Sequence, residues 1–522
     1  MRVRNLIIGI VLGLNALIVA LQWHQLLIIS LPLLLLALYD ISQKQHTILN
    51  IYPVIGHFRY LFESIRPEIQ QYFVESNING RPFNREYRSL VYQRAKGQTD
   101  TRPFGTQFDV YRSSYEWINH SLSPCATSSS DLTVQFGNAA CRKPYLASPL
   151  NISAMSYGAL SKNAIMALNK GAKAGGFAHN TGEGGLSPYH LKYGGDIIWQ
   201  IGTGYFGCRT EDGEFDEVKF SEKAKHNAIK MIEIKLSQGA KPGHGGILPA
   251  QKLTQEIADI RHVPMGQDVI SPAAHSAFSS PKELLLFVDT LRQLSGGKPI
   301  GFKLCLGKKA EFFAIAKAML ATKITPDFIT IDGSEGGTGA APIEFTNAVG
   351  TPLLDAIIFV DDVLRAIGVR EQTKLIASGK IISAFHMAKI IALGADAVNS
   401  ARGMMFALGC IQSRTCNTDK CPTGIATQDP ARYQFLDVEN KSTRVKNYHN
   451  KTIHHLAELL GACGINRLDQ LERQHINRRI DSSTTTDYET LHPSVAQNCL
   501  IAGEDIPQSW LADWQNASAE HW

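Results

Sequence analysis

The longest unbroken hydrophobic pattern lies at the start of the chain. Residues 6–21 read LIIGIVLGLNALIVAL, and residues 26–39 read LLIISLPLLLLALY. Only Gln22, Trp23, His24 and Gln25 separate the two runs. Each run is slightly shorter than the ~20 residues that span a bilayer. Asn5, Gln22, Trp23 and Asp40 can extend the helices into the headgroups, a depth that suits Trp23 and Tyr39. Neither run has the polar face of a soluble helical hairpin, and two apolar cores do not fit a secretory signal peptide. The pattern therefore predicts a transmembrane helical hairpin over residues 1–43. Arg2 and Arg4 precede the first run, Lys44 and Arg59 follow the second, and the turn has no formal charge. By the positive-inside rule, both ends are expected in the cytoplasm.

Residues 44–147 are mixed, rich in Arg, Tyr and Pro, and read as a juxtamembrane wrapping segment. From about residue 148 short apolar runs alternate with helix-length segments. The runs are NISAMS (151–156), MIEIK (231–235), IGFKLCL (300–306), FITID (328–332), KLIAS (374–378) and DAVNS (396–400). Amphipathic stretches such as Ala164–Ala174, Lys282–Leu294 and Ala384–Leu393 lie between them. Repeated strand–helix units imply a parallel sheet with crossovers. Their number and span favour an α/β fold of the (β/α)8 TIM type with insertions, over residues 148–475. Residues 476–522 form a C-terminal tail. An open doubly wound sheet has less support, because no strand leads into a G-x-G-x-x-G turn.

With 44% hydrophobic and 19% charged residues, the 522-residue chain is no disordered protein. A dispersed net charge of +5 gives no footprint for nucleic acid. In a barrel the chemistry sits at the carboxyl ends of the strands. The segments there are MSYGALS (155–161), NTGEGG (180–185), SQGAKPGHGG (237–246), KLCLG (303–307), DGSEGGTGAAP (332–342), SGK (378–380) and SARG (400–403). Glycine concentrates in them, which lets backbone amides approach an anion or a flat ring. Three of nine cysteines, Cys410, Cys416 and Cys421, stand in GCIQSRTCNTDKCPTG with C-x5-C-x4-C spacing. Three thiolates this close can hold an iron–sulfur cluster, and three ligands favour the 3Fe-4S type. Cys3His zinc and three buried thiols acting as small hydrophobes are the competing readings.

Taken together, MSYGALS, NTGEGG, SQGAKPGHGG-x-LP, DGSEGGTGA and the run Cys410–Gln428 closely resemble the central and FMN-binding parts of the glutamate synthase family. The resemblance runs from about residue 148 to 470. It implies a barrel that binds FMN and a 3Fe-4S cluster on Cys410, Cys416 and Cys421. It also implies an oxidoreductase of the EC 1.4 type, which reduces the imine of 2-oxoglutarate or a close oxoacid to L-glutamate or an analogue. Met155, Ser156 and Gly158 would lie along the flavin, with Gln238 in the same cofactor set and Lys303 near flavin N1. Gly336, Gly337, Gly339, Ser378, Gly379, Arg402 and Gly403 would cradle the phosphate. Glu183 and Lys241 would form the catalytic pair, and Arg261 with Lys241 would grip carboxylates, a task suited to an Arg fork.

Two positions depart from the family pattern. Ile247 stands in GGILP where glutamate synthases carry a Gln that helps bind 2-oxoglutarate, and an apolar side chain cannot replace that hydrogen bond. Ser276 and Ala277 follow His275 where the family usually has a His-Asp pair. Both bear on the substrate more than on the cofactors. No glutaminase segment fits before residue 148, so ammonia or an amine is expected from outside. No dinucleotide fingerprint is present, so ferredoxin, a flavoprotein or the quinone pool is the expected electron donor. The expected location is the inner (cytoplasmic) membrane, with the catalytic domain facing the cytoplasm. The alternatives are a membrane-tethered electron-transfer subunit without oxoacid chemistry, and a different FMN barrel enzyme such as a 2-hydroxyacid oxidase.

Overall fold

The computed structural model describes residues 2–522; Met1 and the side chain of Arg2, one of the basic residues before the first apolar run, lie outside the described set. The chain divides into two compact units, one ending at Arg85 and the other running from Glu86 to Trp522. Residues 44–147 are thus shared between the two.

In the first unit, α1 (Arg2–Ala20) and α2 (Leu27–Ser42) are joined by a 3-10 turn at His24–Leu26. The stretches Val3–Ala20 and His24–Ser42, with mean hydropathies of 2.1 and 1.9, are long and apolar enough to cross a membrane. Large side chains such as Leu6 and Ile28 are exposed. Asn15, the one polar residue of the first run, clasps the second helix. Its Nδ2 donates to Ser30 O (3.2 Å), and Ser30 Oγ donates to Asn15 Oδ1 (2.9 Å). After a single-turn helix at Thr47–Ile51, a longer helix, here α3 (His57–Ile69), follows and runs into a π turn at Gln70–Val74.

The second unit is built on a closed barrel of eight parallel strands in sequential order. They are β1 (Leu150–Ile152), β2 (His179–Asn180), β3 (Ile197–Ile201), β4 (Ile229–Lys235), β5 (Ile300–Leu304), β6 (Phe328–Asp332), β7 (Lys374–Ser378) and β8 (Ala397–Ser400). The predicted (β/α)8 architecture is therefore observed. Six of the eight strands coincide with the apolar runs read from sequence; β2 and β3 do not. β2 has only two residues, His and Asn, and so carries no apolar run.

The barrel interior is layered by the two-residue period of the strands. Ala178, Ile198, Met231, Phe328, Ile376 and Ala397 form the bottom layer with Val134, Phe136 and Ala147. The last three belong to an antiparallel strand pair, Val134–Phe136 with Tyr145–Ala147. Part of the predicted wrapping segment thus plugs the amino-terminal mouth, with Phe136 edge-on to Phe328 at 5.9 Å. Above this lies a buried polar layer. Glu233 accepts from Asn180 Nδ2 (2.8 Å), Gln200 Nε2 (2.6 Å) and Thr330 Oγ1 (2.6 Å), tying β2, β3, β4 and β6 together. Such a fully bonded buried network fixes strand register.

The outer helices start where hydroxyl and carboxylate caps stand. Ser161, Ser280, Ser383 and Asp437 each accept a first-turn N–H. The tail does not hang free. Ile476–Arg479 pairs between Glu116–Ile118 and Thr485–Asp487, and Trp510 packs edge-on against Phe313 and Phe359.

Candidate active site

Strand alternation decides which side chains reach the carboxyl-end mouth. Met231 faces the bottom layer, so Glu233 and Lys235 follow it on the same inner face of β4. The same count brings Asp332 to the top of β6 and Ser378 to the top of β7. Lys303 on β5 lies 3.8 Å from Asp332 Oδ2, and Asp332 also accepts from the Gly239 N–H at 3.0 Å.

The centre of the mouth is Glu183, in the loop after β2. Lys235 Nζ lies 2.7 Å from Glu183 Oε1, and Ser271 Oγ donates to Oε2 at 3.5 Å. Burial opposes ionisation of Glu183, but Lys235, Arg261 and Lys241 outweigh it and hold the carboxyl below its ordinary pKa. The approach requires glycine at position 246, where an added Cβ would lie 2.1 Å from Glu183 Oε1. The backbone at Gly246 is thereby drawn against the carboxylate, and the residues that follow it, Ile247–Leu248, pair with Val269–Ile270.

Three cations surround Glu183. Lys235 is buried, and burial together with Lys303 pushes its pKa down, against Glu183 and Asp332. Lys241 is buried and donates to Ala340 O at 2.8 Å; burial lowers its pKa to about 8. Arg261 Nη2 donates to Tyr157 O (3.2 Å) and Ser156 Oγ (3.5 Å), with its guanidinium 5.1 Å from the centre of the Phe206 ring. Burial lowers Arg261 to about 10, which leaves it charged at neutral pH. At this mouth the buried donors Arg261 Nε and Gln238 Nε2 have no acceptor among the described residues. The structure therefore brings Glu183, Lys241 and Arg261 together, with Gly158 of the MSYGALS segment beside Arg261.

His275 supports this group. Its Nε2 lies 2.9 Å from the Lys235 carbonyl, an atom that can only accept, so Nε2 donates. Nδ1 then accepts from the Tyr205 hydroxyl (3.0 Å). Burial lowers the His275 pKa to about 4 and keeps the ring neutral.

The glycine loop after β6 meets the end of β8. A Cβ on Gly337 would lie 3.0 Å from Arg402 Nη1, and Arg402 Nη2 donates to Glu335 O at 2.9 Å. Burial lowers Arg402 to about 10 and raises Glu335. Glu335 Oε2 accepts from the Leu353 N–H at 3.0 Å. Ser378 Oγ lies 3.4 Å from Ser153 Oγ across the mouth. Gly403 packs against the Tyr448 hydroxyl, where a Cβ would lie at 2.5 Å.

The cysteine loop is stitched to the same mouth. Ser161 N–H donates to Ile425 O (2.8 Å), Ser161 Oγ to Gly424 O (2.7 Å), and Gln428 Nε2 to the carbonyls of Gly158 (3.0 Å) and Leu160 (2.9 Å). Buried Lys252 donates to Ala159 O (2.9 Å) and Cys416 O (3.2 Å), linking the MSYGALS segment to the cysteines. A Cβ on Gly339 would lie 4.0 Å from Cys416 Cβ. Burial pushes the Cys410 thiol up to about 12 and raises Cys416, and each also senses the other two thiols or one of them. Burial opposes Cys421 as well, but hydrogen bonds from Thr423 and nearby amides hold it low. Among the described residues, no three His, Cys, Asp or Glu side chains form the tight group that grips a single ion.

Reading the sequence left out Lys235, Ser271, Lys252 and Asp332. Lys235 and Asp332 end the runs MIEIK and FITID, so period-2 counting from the buried residues was the available signal. Nothing in the sequence pattern marks Ser271 or Lys252.

A family model described as the conserved region in glutamate synthase matches residues 116–466. The glutamate synthase large subunit-like protein of Bacillus subtilis is 39% identical over 509 residues, covering 89% of this chain and 96% of that protein. An archaeal NADPH glutamate synthase of Methanocaldococcus jannaschii is 42% identical over 327 residues, covering 62% of this chain and 61% of that protein. A glutamate synthase large subunit-like protein of Rhizobium meliloti is 31% identical over 364 residues, covering 66% and 78%. The match thus spans nearly all of the Bacillus protein and about three-fifths of the archaeal one.

Proposed function

The chain belongs to the glutamate synthase family of oxidoreductases, and from that premise we propose that it reduces the imine of 2-oxoglutarate, or of a close oxoacid, to L-glutamate or an analogue. Ammonia or an amine supplies the nitrogen, and an external donor supplies the electrons. One observation carries this reading: an excess of buried positive charge with unanswered donors. Among the described residues, Lys235, Lys241 and Arg261 share the Glu183 carboxylate, Arg261 Nε lacks an acceptor and Lys241 Nζ donates only to the Ala340 carbonyl. A dicarboxylate brings the missing charge and the missing acceptors.

The residues present fit the two cofactors implied by the family. Ser156, Gly158, Gln238 and Lys303 would hold the FMN ring, and Gly337, Ser378, Gly379 and Arg402 its phosphate. Cys410, Cys416 and Cys421 would hold a 3Fe-4S cluster, which needs a wider sulfur triangle than a single ion does. When bound, the cluster supplies single electrons and the flavin converts them into two-electron reduction.

The chain's own residues then have distinct tasks. Lys241 and Arg261 bind and orient the carboxylates. Lys235 keeps Glu183 ionised, so that its oxygens accept the N–H groups of the incoming nitrogen source and take up or return a proton there. His275 holds Lys235 through the backbone. Ile247 follows Gly246, whose backbone lies against Glu183, and stands where the family's Gln would hydrogen-bond 2-oxoglutarate; it therefore favours a close analogue with an apolar substituent. The two apolar helices of the first unit form a transmembrane hairpin with both ends in the cytoplasm, which makes the quinone pool one reachable electron source.

The test uses full-length protein isolated without oxygen and assayed for flavin, iron and acid-labile sulfide. It is then reduced with dithionite and given 2-oxoglutarate and ammonium. Recovery of the flavin absorbance that requires both additions supports the proposal. Bound flavin and iron without reoxidation by 2-oxoglutarate or any close analogue assigns the chain instead to electron transfer. Flavin without iron or sulfide points to a flavin enzyme of another kind.

A further inference from the structure

Helix α3 and its π turn present an apolar stripe to the outside. Phe58, Leu61, Phe62, Ile65 and Ile69 are 38–60% exposed, and Phe73 is 84% exposed. Their spacings of three and four residues set the first five on one side of the helix. Phe58 and Phe62 stack at 6.4 Å. Arg59, Glu63 and Arg66 occupy another side, and at 3.6 residues per turn the two arginines border the stripe next to Phe62.

The stripe is tied to the end of the hairpin. Asp40, in the last turn of α2, is fully buried; it accepts from the Val54 N–H (2.8 Å) and pairs with His57 Nε2 (2.9 Å) at the start of α3. The Tyr60 hydroxyl lies 3.3 Å from His46 Nδ1, so the face carrying His57 and Tyr60 turns toward the connecting loop and the apolar stripe turns away from it. These contacts pin α3 at the level where the second apolar helix ends. Apolar surface, bordering arginines and that level together specify one surroundings, the boundary between headgroups and acyl chains.

We infer that α3 lies flat in the cytoplasmic surface of the bilayer that the hairpin crosses, with its stripe among the upper acyl chains and Arg59 and Arg66 on lipid phosphates. The inference rests on the transmembrane reading of residues 3–42. It adds a second, sideways attachment that limits the tilt and depth of the first unit in the bilayer more than a two-helix hairpin alone does.

The test places a genetically encoded fluorescent amino acid at Ile10, Phe62 or Glu63, one at a time, in the full chain. Each variant is reconstituted in vesicles of phosphatidylethanolamine and phosphatidylglycerol, with lipids brominated near the headgroup or deep in the acyl chain. Shallow bromines should quench position 62 about twofold more than deep ones, deep bromines should dominate at position 10, and position 63 should respond little to either. Deep quenching at 10 with no quenching at 62 overturns the surface helix and leaves the hairpin standing, the stripe then being covered by a second copy or another protein. Deep quenching that dominates at 62 also overturns it. No quenching at position 10 rejects the hairpin and with it the inference that rests on it, whatever position 62 shows.

Discussion

Raising the pH through 8 should loosen the site's hold on a carboxylate while the fold itself gains. Lys241 is the titrating group. Its ammonium is buried, and burial lowers its pKa to about 8, with Lys235 adding to the fall and Glu183 opposing it. A lysine with that pKa is about nine-tenths charged at pH 7 and about one-tenth charged at pH 9. If only the ammonium grips the oxoacid, KM should rise about tenfold between those values, equivalent to about 1.4 kcal/mol. The stability trend has the opposite sign. The unfolded chain keeps Lys241 near its ordinary value of 10.5, so from pH 8 to 10.5 it binds more protons than the folded chain does. This group's contribution to stability therefore grows as pH rises through that window. The assay is initial rate against oxoacid concentration from pH 6.5 to 9.5, with thermal unfolding followed on the same samples. Lys241→Arg, which cannot discharge in this range, should flatten the profile at a higher KM. A wild-type KM that stays level to pH 9.5, or one that rises only in step with unfolding, would refute the reasoning.

Other substitutions probe the remaining parts. Gly246→Ala puts a Cβ 2.1 Å from Glu183 Oε1 and must displace the carboxylate; kcat/KM should fall about 100-fold with little change in melting temperature. Asp327→Ala leaves buried Arg292 with only the more exposed Asp289 carboxylate, at 3.4 Å, and strands the Ile300 and Asn138 N–H groups, each now donating to Asp327 at 2.8 Å; denaturant unfolding should show a loss of about 3 kcal/mol. Lys252→Met removes a buried cation bonded to Cys416 O. The reduction potential of the proposed 3Fe-4S cluster, followed by electron paramagnetic resonance, should fall by tens of millivolts, about 59 mV for each tenfold change in its reduction equilibrium, and Lys252→Arg should keep most of it.

The barrel was legible because parallel strands buried on both faces read as continuous apolar runs. FITID and KLIAS coincide with β6 and β7 residue for residue. β2 was not legible, since its two residues are held by neighbours rather than by an apolar pattern of their own. The site was legible where a side chain falls within a glycine-rich loop, as Glu183 and Lys241 do. Lys235 ends the apolar run MIEIK, which by itself gives it no role. It counts as a site residue only once Met231 is known to face inward, and that is a tertiary fact. Lys252 and Ser271 act through contacts between loops far apart in sequence, which no local spacing encodes. The stripe on α3 lies in a segment whose overall composition is mixed, so its amphipathic period shows only when the helix is laid out.

The most direct measurement of the central claim is product formation in a single turnover. Holoenzyme isolated without oxygen, reduced with a known amount of dithionite and freed of excess, is mixed with 2-oxoglutarate and nitrogen-15 ammonium, and the amino acids are analysed by chiral mass spectrometry. The account predicts labelled L-glutamate, or a labelled analogue when a better-fitting oxoacid is supplied, in an amount matching the electron pairs loaded. Reduced protein that keeps its electrons and yields no labelled amino acid with any oxoacid tested would contradict it.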